Sequence, residues 1–305
     1  EQMVQQTYGF EGSSTSSKYE TGLYYEVDLI NSSGVTVSQY YVDKTTGLIY
    51  EIGEEPIKEY QIDYTIDRDE YPTKWLSKTA TNDTNGKLLA DWIKSIISEA
   101  DNRIYVDVKS TSNLTDLTNT FSGISENLYS LKLEDTSNVV SFENTFSGCS
   151  RLNIVQVDTK NATTLKNMFS GCSELVNISP KTFDTSKVKN MSGMFYGCNS
   201  LSSYPSFTDT SKVTDMSKMF NYNSSMVTSP ALDMTSVTNA SEMFSGNSSL
   251  ENINIINVNN VQDASSMFYN CRSLVSLPSL SFNNCIDASR AFENTGLTTI
   301  PTSLK

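Results

Sequence analysis

The chain contains no histidine among its 305 residues. This absence excludes Ser-His and Cys-His nucleophilic catalysis, imidazole-ligated metal sites and histidine-based pH switches. No C-x-x-C pair occurs, and the five cysteines, an odd number, all lie beyond residue 148. Neither a zinc motif nor a dithiol redox motif is therefore predicted. We expect a protein that is not an enzyme and that has no catalytic residue, no cofactor and no bound metal.

Positive charge and long apolar runs are also scarce. Lys and Arg number 22 against 35 Asp and Glu, which gives a formal net charge of −13. Because nucleic acid and anionic lipid are also negatively charged, non-specific binding of this chain to either is disfavoured. No run of 18 apolar residues is present, so no membrane span is predicted. The start Glu1-Gln2-Met3-Val4 is not a signal peptide, and a mature chain that has lost its export signal is one interpretation.

What the sequence does have is a phenylalanine that returns every 23 to 26 residues. A period of 20–29 residues is typical of leucine-rich-repeat solenoids, in which each repeat stacks on its neighbours. The eight phenylalanines of the repeat are Phe121, Phe146, Phe169, Phe195, Phe220, Phe244, Phe268 and Phe292.

Each repeat predicts one short helix and one short strand. Apolar residues lie at the Phe and one, four and seven residues before it, the spacing of one helix face. Gly stands two residues after most of the Phe and would end that helix in the left-handed conformation. A Leu-x-x-Leu-like segment follows, as from Leu175 to Ile178, and predicts a strand that stops at a proline. Four such prolines occur: Pro180, Pro205, Pro230 and Pro278.

The predicted fold is an α/β solenoid of leucine-rich-repeat type, with one short parallel strand and one short helix in each of about eight repeats of 23–26 residues. A small β-rich domain and a capping helix precede it. The predicted organisation is a flexible lead at 1–20, an antiparallel β-rich domain at 21–84, a capping helix with the first strand at 85–110, and the solenoid at 111–305. Within the second unit, strands are expected near 23–30, 35–42, 48–52 and 57–66, as a four-stranded meander.

The repeats resemble the BspA-like leucine-rich repeat of bacterial surface proteins. The resemblance is carried by Phe183-Asp184-Thr185-Ser186-Lys187-Val188 and by the stretch from Met191 to Leu201, which reads MSGMFYGCNSL. Residues 209–220 fit nearly as well, 241–250 match in part, and the likeness covers about residues 111–303. The resemblance implies a surface-exposed or secreted protein engaged in adhesion or host interaction.

Three residues after each Phe lies a position that holds Cys in four repeats: Cys149, Cys172, Cys198 and Cys271. One interpretation is a disulfide or metal ladder, since neighbouring repeats bring thiols within disulfide reach. The favoured one is a buried position for small residues that pack on the turn or bond to it, because Asn, Thr and Ile also occur there. Cys285, at the position seven before Phe292, is expected to be a small core residue.

Two candidate sites remain. The acidic cluster Asp63, Asp67, Asp69 and Glu70 could hold Ca²⁺, but it lacks the spacing of a calcium loop, and solvated carboxylates are the favoured interpretation. A candidate binding face lies eight residues after each Phe, in a row expected to point outward from the stacked sheet. Beyond Ile154, it comprises Asn177, Ser203, Thr228, Asn252 and Ser276. An ordinary solvated sheet face is the equal alternative.

The leading functional hypothesis is a non-enzymatic binding or adhesion protein, extracellular or on a bacterial cell surface, that presents this face to a host or matrix protein or to a glycan. The alternative is a structural fibre or appendage component of a virion or cell surface, a homo-oligomer that assembles through the N-terminal domain. An oligomer is more consistent with the alternative, and a stable monomer with the first hypothesis.

Overall fold

The computed structural model describes residues 14–20, 24–30, 36–43, 49–52, 59–66, 74–79, 83–98, 104–109, 111–125 and 127–301, with side chains from residue 83 onward except at 96, 98 and 109. An N-terminal sheet of four antiparallel strands contains β1 (Ser14–Glu20), β2 (Tyr24–Ile30), β3 (Thr36–Asp43) and β4 (Ile49–Ile52), in that order. The strand β1 lies in the predicted flexible lead, of which residues 1–13 fall outside the described residues.

A second sheet joins the N-terminal part of the chain to the solenoid. Its strands are β5 (Glu59–Ile66), β6 (Lys74–Thr79), β7 (Ile104–Lys109), β8 (Leu128–Leu133), β9 (Ile154–Gln156) and β10 (Asn177–Ser179). The order is β10-β9-β8-β7-β5-β6, with β7 to β10 parallel and β5 antiparallel to β6 and β7. The strand β7 lies where the first strand of the stack is predicted, and it pairs in parallel with β8. The fourth strand of the predicted meander instead pairs with β6 and β7, as β5.

A helix, α1 (Lys87–Ser98), lies where the capping helix is predicted. Leu89, Ala90, Ile93 and Ile97 are buried in the same core as the first repeats, whereas Leu88, expected on the buried side, is exposed. The carboxylate of Asp83 accepts hydrogen bonds from the N–H groups of Leu88 and Leu89, at 3.2 and 3.1 Å. These bonds satisfy N–H groups of the first helical turn that have no partner within the helix. Among the described residues, no helix is long and apolar enough to cross a membrane.

The repeats wind into a parallel β-solenoid of about six turns, with little helix. Its later strands are β11 (Thr182–Phe183), β12 (Ser206–Phe207), β13 (Leu232–Asp233) and β14 (Ile255–Ile256), and one 3₁₀ helix covers Val258–Asn260. A column of single-residue parallel bridges runs beside them. It contains Asp116, Ser141, Thr164, Asn190, Asp215, Asn239, Asp263 and Asp287. Complete turns are fewer than the eight sequence repeats; no strand follows β14 among the described residues, and Phe292 is only half-buried.

The helix predicted for each repeat is wrong. Around each Phe the chain makes overlapping four-residue turns, in which an N–H bonds to the C=O three residues earlier. Met194 bonds to Met191 and Cys198 to Phe195 in this way, both at 3.2 Å. The alternate N–H groups bond to the next turn of the solenoid, as from Phe195 to Met219 at 2.9 Å. Because these turns place apolar residues at nearly the helical spacing, the sequence pattern does not distinguish turns from a helix.

Left-handed residues two before and two after the Phe explain why no helix forms. In the fourth repeat these are Gly193, with φ of 61°, and Gly197, with φ of 68°. A left-handed residue every four positions interrupts right-handed helix geometry. The left-handed glycine after the Phe is therefore confirmed, although it ends a series of turns and not a helix.

The repeated phenylalanines form one continuous column through the core. Seven of them are fully buried, and neighbouring rings stack with centroids 5.5 to 5.7 Å apart and interplanar angles of 4 to 19°. Strand β10 ends at Ser179, directly before Pro180, as expected. By contrast, β12 and β13 begin after Pro205 and Pro230, so these two prolines precede strands.

Candidate functional site

The five residues of the predicted binding face are all exposed. Asn177 opens β10 and pairs with Ile154 of β9, and Thr228 forms a parallel bridge with Asn252. Ser203 and Ser276 lie in loop segments that form no bridge with these pairs among the described residues. The five residues therefore do not form the single continuous row of a sheet that was expected. The loops precede Pro205 and Pro278, where a ladder N–H is missing.

The side chains of this face are free of internal bonds. Among the described residues, no protein group forms a hydrogen bond with the side chains of the five face residues, which are Asn177, Ser203, Thr228, Asn252 and Ser276. Three exposed valines directly precede members of the face: Val176, Val227 and Val275, the last 65% exposed. The face thus offers amide and hydroxyl groups beside methyl groups, without formal charge at these eight positions.

Other polar columns of the solenoid are, by contrast, occupied with holding the turns. Buried threonines form a ladder in which Thr185 Oγ1 donates to Asp209 C=O at 2.7 Å and Thr210 Oγ1 donates to Asp233 C=O at 2.9 Å. An Asp beside the ladder accepts from the residue two positions later, as Asp184 does from the Ser186 N–H at 3.0 Å and hydroxyl at 2.7 Å. These side chains are committed to holding the turns, unlike the side chains of the candidate face.

The cysteine position proved structural. All five thiols are free, and four are fully buried. Cys149 and Cys172 donate to the carbonyl oxygens of Phe121 and Phe146 in the preceding turn, both at 3.1 Å. Burial raises the pKa of Cys149 to about 12, which keeps the thiol protonated and able to donate. The buried position that bonds to the turn is therefore confirmed, and the disulfide ladder is wrong. Cys285 is half-buried.

The acidic cluster falls largely outside the described residues. Asp63 lies in β5, where only the backbone is described, and Asp67, Asp69 and Glu70 are not described. Within the described part of the chain, no three Asp, Glu or Cys residues lie close enough together to hold a metal ion.

An exposed aromatic pair was not anticipated from the sequence. Tyr196 and Tyr222 are 38% and 55% exposed and meet edge to face, with ring centroids 6.1 Å apart. Tyr222 is left-handed, and its ring covers Gly246, where an added Cβ would lie 2.9 Å from a ring carbon. The sequence did carry a signal for this pair. Tyr196 stands one residue after its Phe, where Ser is common, and Tyr222 stands two residues after its Phe, where Gly is common.

The model of one protein family, described as "Mycoplasma protein of unknown function, DUF285", matches residues 94–206 and 205–301, more than half of the chain. The chain belongs to this family. The matched DUF285 range includes the end of α1 and all eight repeats, so the solenoid is the part shared with the family. No curated protein and no solved structure matches the chain.

Proposed function

We propose that the protein is a non-enzymatic binding protein, extracellular or on a bacterial cell surface, that presents the free polar row of its solenoid to a protein or glycan partner. The observation that carries the proposal is the difference between polar columns. The Thr and Asp ladders are bonded internally, whereas the five side chains of the candidate face have no internal partner among the described residues. Polar groups that are exposed and uncommitted are available to a ligand at little conformational cost.

The neighbouring chemistry suits a partner with both polar and apolar groups. Exposed valines beside Asn177 and Thr228 supply apolar contact. The pair Tyr196 and Tyr222 offers large, rigid rings of the kind enriched in binding hot spots and able to pack on flat apolar groups. Solenoids commonly bind through such extended surfaces.

The BspA-like character of the repeats is part of this proposal. It is supported by the segment Met191 to Leu201 and by the regular Phe period, both features of the sequence. It does not require the helix in each repeat, which the structure lacks. A surface location is tested by labelling intact source cells with a membrane-impermeant amine reagent; absence of labelled protein, with labelling after lysis, would contradict it.

Binding is tested on an array of glycans and matrix proteins. The double variant Asn177→Arg and Asn252→Arg adds two bulky charges to the face and is expected to weaken binding to any captured partner at least tenfold without lowering the melting temperature. The matched control is Asn199→Arg with Ser248→Arg, which adds the same charge at exposed positions outside the face. Unchanged binding by the first variant would remove this face from consideration.

A structural role remains the second candidate, favoured by the N-terminal sheet. Within the described residues, β1 and β4 each pair on one side only. Such edge strands offer a row of backbone groups to another copy. Light scattering distinguishes the candidates: a stable monomer favours the binding protein, and an obligate oligomer that dissociates on deletion of residues 14–20 favours assembly through this sheet.

A further inference from the structure

The exposed residue Tyr222 departs from the pattern of the repeats. Two residues after the Phe, five repeats carry Gly and two carry Asn, whereas Tyr222 holds the same left-handed position with φ of 58°. Glycine takes this conformation freely, but a bulky side chain makes it strained. Backbone strain of this kind concentrates at binding and catalytic sites. Tyr222 is therefore a candidate for a role other than holding its turn.

Two charged residues close to Tyr222 share its backbone strain. Lys218 and Glu242 stand two residues before their Phe in successive turns, with φ of 57° and 56°, where the four earlier repeats carry Asn or Gly. Their side chains form an ion pair, with Lys218 Nζ at 3.4 Å from Glu242 Oε1. Among the described residues, five left-handed residues are neither Gly nor Asn, and Lys218, Tyr222 and Glu242 are three of them. The strain is thus concentrated in two successive turns.

A buried amide links the ion pair to the tyrosine. Asn221 directly precedes Tyr222 and is only 1% exposed, and its Nδ2 donates to Glu242 Oε2 at 3.0 Å. Its Oδ1 is also buried and forms no hydrogen bond with any group of the described residues. The Glu242 carboxylate is therefore oriented by two donors. Since its side chain is 39% exposed and a carboxylate accepts about four hydrogen bonds, it can accept from a ligand as well.

The backbone of this turn offers no donors to an added peptide strand. The N–H groups of residues 218–222 are all bonded, as Lys218 is to Ser241 at 2.9 Å and Tyr222 to Ser245 at 2.8 Å. An extended peptide that adds to a sheet binds mainly through its main chain. A ligand at this place must instead be recognised by the side chains.

The two tyrosine rings form a corner, since the planes of Tyr196 and Tyr222 meet at 79°. The ring of Tyr222 packs on Gly246, where an added Cβ would lie 2.9 Å from a ring carbon, so the ring is supported from behind. The C–H bonds on the flat side of a pyranose carry slight positive charge and pack favourably on the negative face of such a ring. The hydroxyls at the pyranose edge donate well to a carboxylate and accept from an ammonium group.

We propose that the tyrosine pair and the neighbouring ion pair form a binding site for one pyranose ring of an uncharged glycan. The ring packs on Tyr222, and its hydroxyls bond to Glu242 and Lys218. Because the chain has a net charge of −13, sulfated or carboxylated glycans are disfavoured. The proposal rests on the proposed binding function and specifies its ligand class. The site comprises Tyr196, Lys218, Asn221, Tyr222 and Glu242.

The test titrates the full chain with four uncharged tetrasaccharides, built from glucose, galactose, mannose or N-acetylglucosamine. Calorimetry measures affinity, and NMR follows the ring protons of the tyrosines. We expect at least one saccharide to bind and to shift the ring signals of Tyr196 and Tyr222. Tyr222→Gly, which introduces the residue of five other repeats, should weaken that binding about tenfold or more. The melting temperature should stay the same or rise, because the change also removes the backbone strain.

The matched control is Tyr269→Ser. Tyr269 follows its Phe directly, as Tyr196 does, but the guanidinium of Arg290 covers its ring at 4.3 Å from the centroid. We therefore expect Tyr196→Ser to weaken binding and Tyr269→Ser to leave it unchanged. Equal losses for these two variants would overturn the proposal.

Further outcomes separate this site from the proposed function and from a purely structural role. Failure of all four saccharides to bind, or unchanged binding by Tyr222→Gly, overturns the proposal. Binding of another partner that is lost in the variant of Asn177 and Asn252 but kept in Tyr222→Gly overturns it too, while the proposed function stands. If Tyr222→Gly lowers the melting temperature, Glu242→Gln decides. About tenfold weaker binding by that variant supports the site, and unchanged binding overturns it.

Discussion

The thiol of Cys198 donates a hydrogen bond to the carbonyl oxygen of Phe169, one turn earlier in the solenoid, over 3.1 Å. Asn247 occupies the equivalent position two turns later, and its side-chain amide donates to Phe220 at 2.8 Å. In both of these turns, the side chain at this position donates to the carbonyl of the Phe one turn earlier. Cysteine and asparagine therefore exchange there for a structural reason, and thiol chemistry is not needed to explain the recurrence of Cys.

We predict that native protein reacts with a thiol reagent at Cys285 alone and that all five cysteines react after unfolding without reductant. Burial raises the pKa of Cys271 to about 12 and raises that of Cys172 well above its ordinary value, so neither forms the reactive thiolate in the folded state. Colorimetric thiol titration with and without denaturant measures both counts. Cys285→Ser should abolish the native reaction, and fewer than five thiols in the denatured protein would contradict the absence of disulfides.

Replacing Phe195 by Ala is expected to destabilise the solenoid by about 3–5 kcal/mol, because a fully buried ring and two stacking contacts are lost. The urea midpoint should fall, and the transition should broaden as the turns on either side uncouple. Phe292→Ala is the matched control: its ring is half-buried and stacks on one side only, so the loss should be clearly smaller. Equal losses for the two variants would contradict a continuous stacked core.

The sequence predicted the period, the Phe column and the capping helix, because each rests on apolar spacing over many residues. It could not distinguish helix from successive turns, since both place Val188, Met191 and Phe195 on one face. The deciding signal was Asn or Gly two residues before the Phe, at Asn144, Asn167 and Gly193, all left-handed. The residues of the candidate face are exposed, as expected. The loops that interrupt the row at Ser203 and Ser276 follow paths that no local sequence pattern specifies.

Ser266→Asn is expected to stabilise the protein by up to about 1 kcal/mol. Ser266 is left-handed, with φ of 52°, a conformation that costs most residues ~1 kcal/mol and that Asn tolerates better. Earlier repeats carry Asn at the equivalent position, and Asn144 donates to Asn119 there at 3.0 Å. The control is Ser248→Asn, exposed and not left-handed. Thermal unfolding of both variants measures the effect. A higher melting temperature for both variants would contradict the explanation from the left-handed backbone of Ser266.

Acid should weaken the folded state through the Asp residues of the turns. The Ser186 hydroxyl, and then its N–H, lower the pKa of Asp184 below the ordinary value of 3.8. A carboxyl with a lowered folded pKa stabilises above its unfolded pKa, and that contribution is lost as pH falls through the folded value. Asp135 and Asp209 behave alike.

We therefore expect Ser186→Ala to reduce stability at neutral pH and to differ less from the unaltered protein once pH falls below the lowered pKa of Asp184. Urea unfolding of both proteins, at neutral pH and below the lowered pKa of Asp184, measures the stability deficit of the variant. The control is Ser200→Ala, at an exposed serine outside these turns. A deficit that stays constant with pH would mean that Ser186 acts by packing and not by stabilising the carboxylate.

One pair of residues departs from this pattern of side-chain hydrogen bonds between turns, and substitutions there test the pattern. Asn223 replaces Cys at the buried position, and Tyr204 replaces the usual apolar residue beside it. The Tyr204 hydroxyl and both polar atoms of the Asn223 amide are buried, and none of them forms a hydrogen bond of standard geometry with any group of the described residues, although the Asn223 amide is near enough to the hydroxyl to lower its pKa in part. Burial raises the pKa of Tyr204 well above its ordinary value, as expected for a hydroxyl in an apolar core. Each buried polar group without a partner costs about 1–3 kcal/mol.

Asn223→Cys should consequently stabilise the protein, since a thiol here would donate to the Phe195 carbonyl as Cys198 does to Phe169. The same change one turn later, Asn247→Cys, should destabilise it, because Asn247 donates to both Phe220 and Phe244 at 2.8 Å. The two variants exchange the same side chains at equivalent positions. Stability changes of opposite sign would therefore indicate that hydrogen bonding decides which residue this position favours. If Asn223→Cys instead lowers the urea midpoint, an internal water bridging Tyr204 and Asn223 is the physical alternative, and Tyr204→Phe would then be destabilising as well.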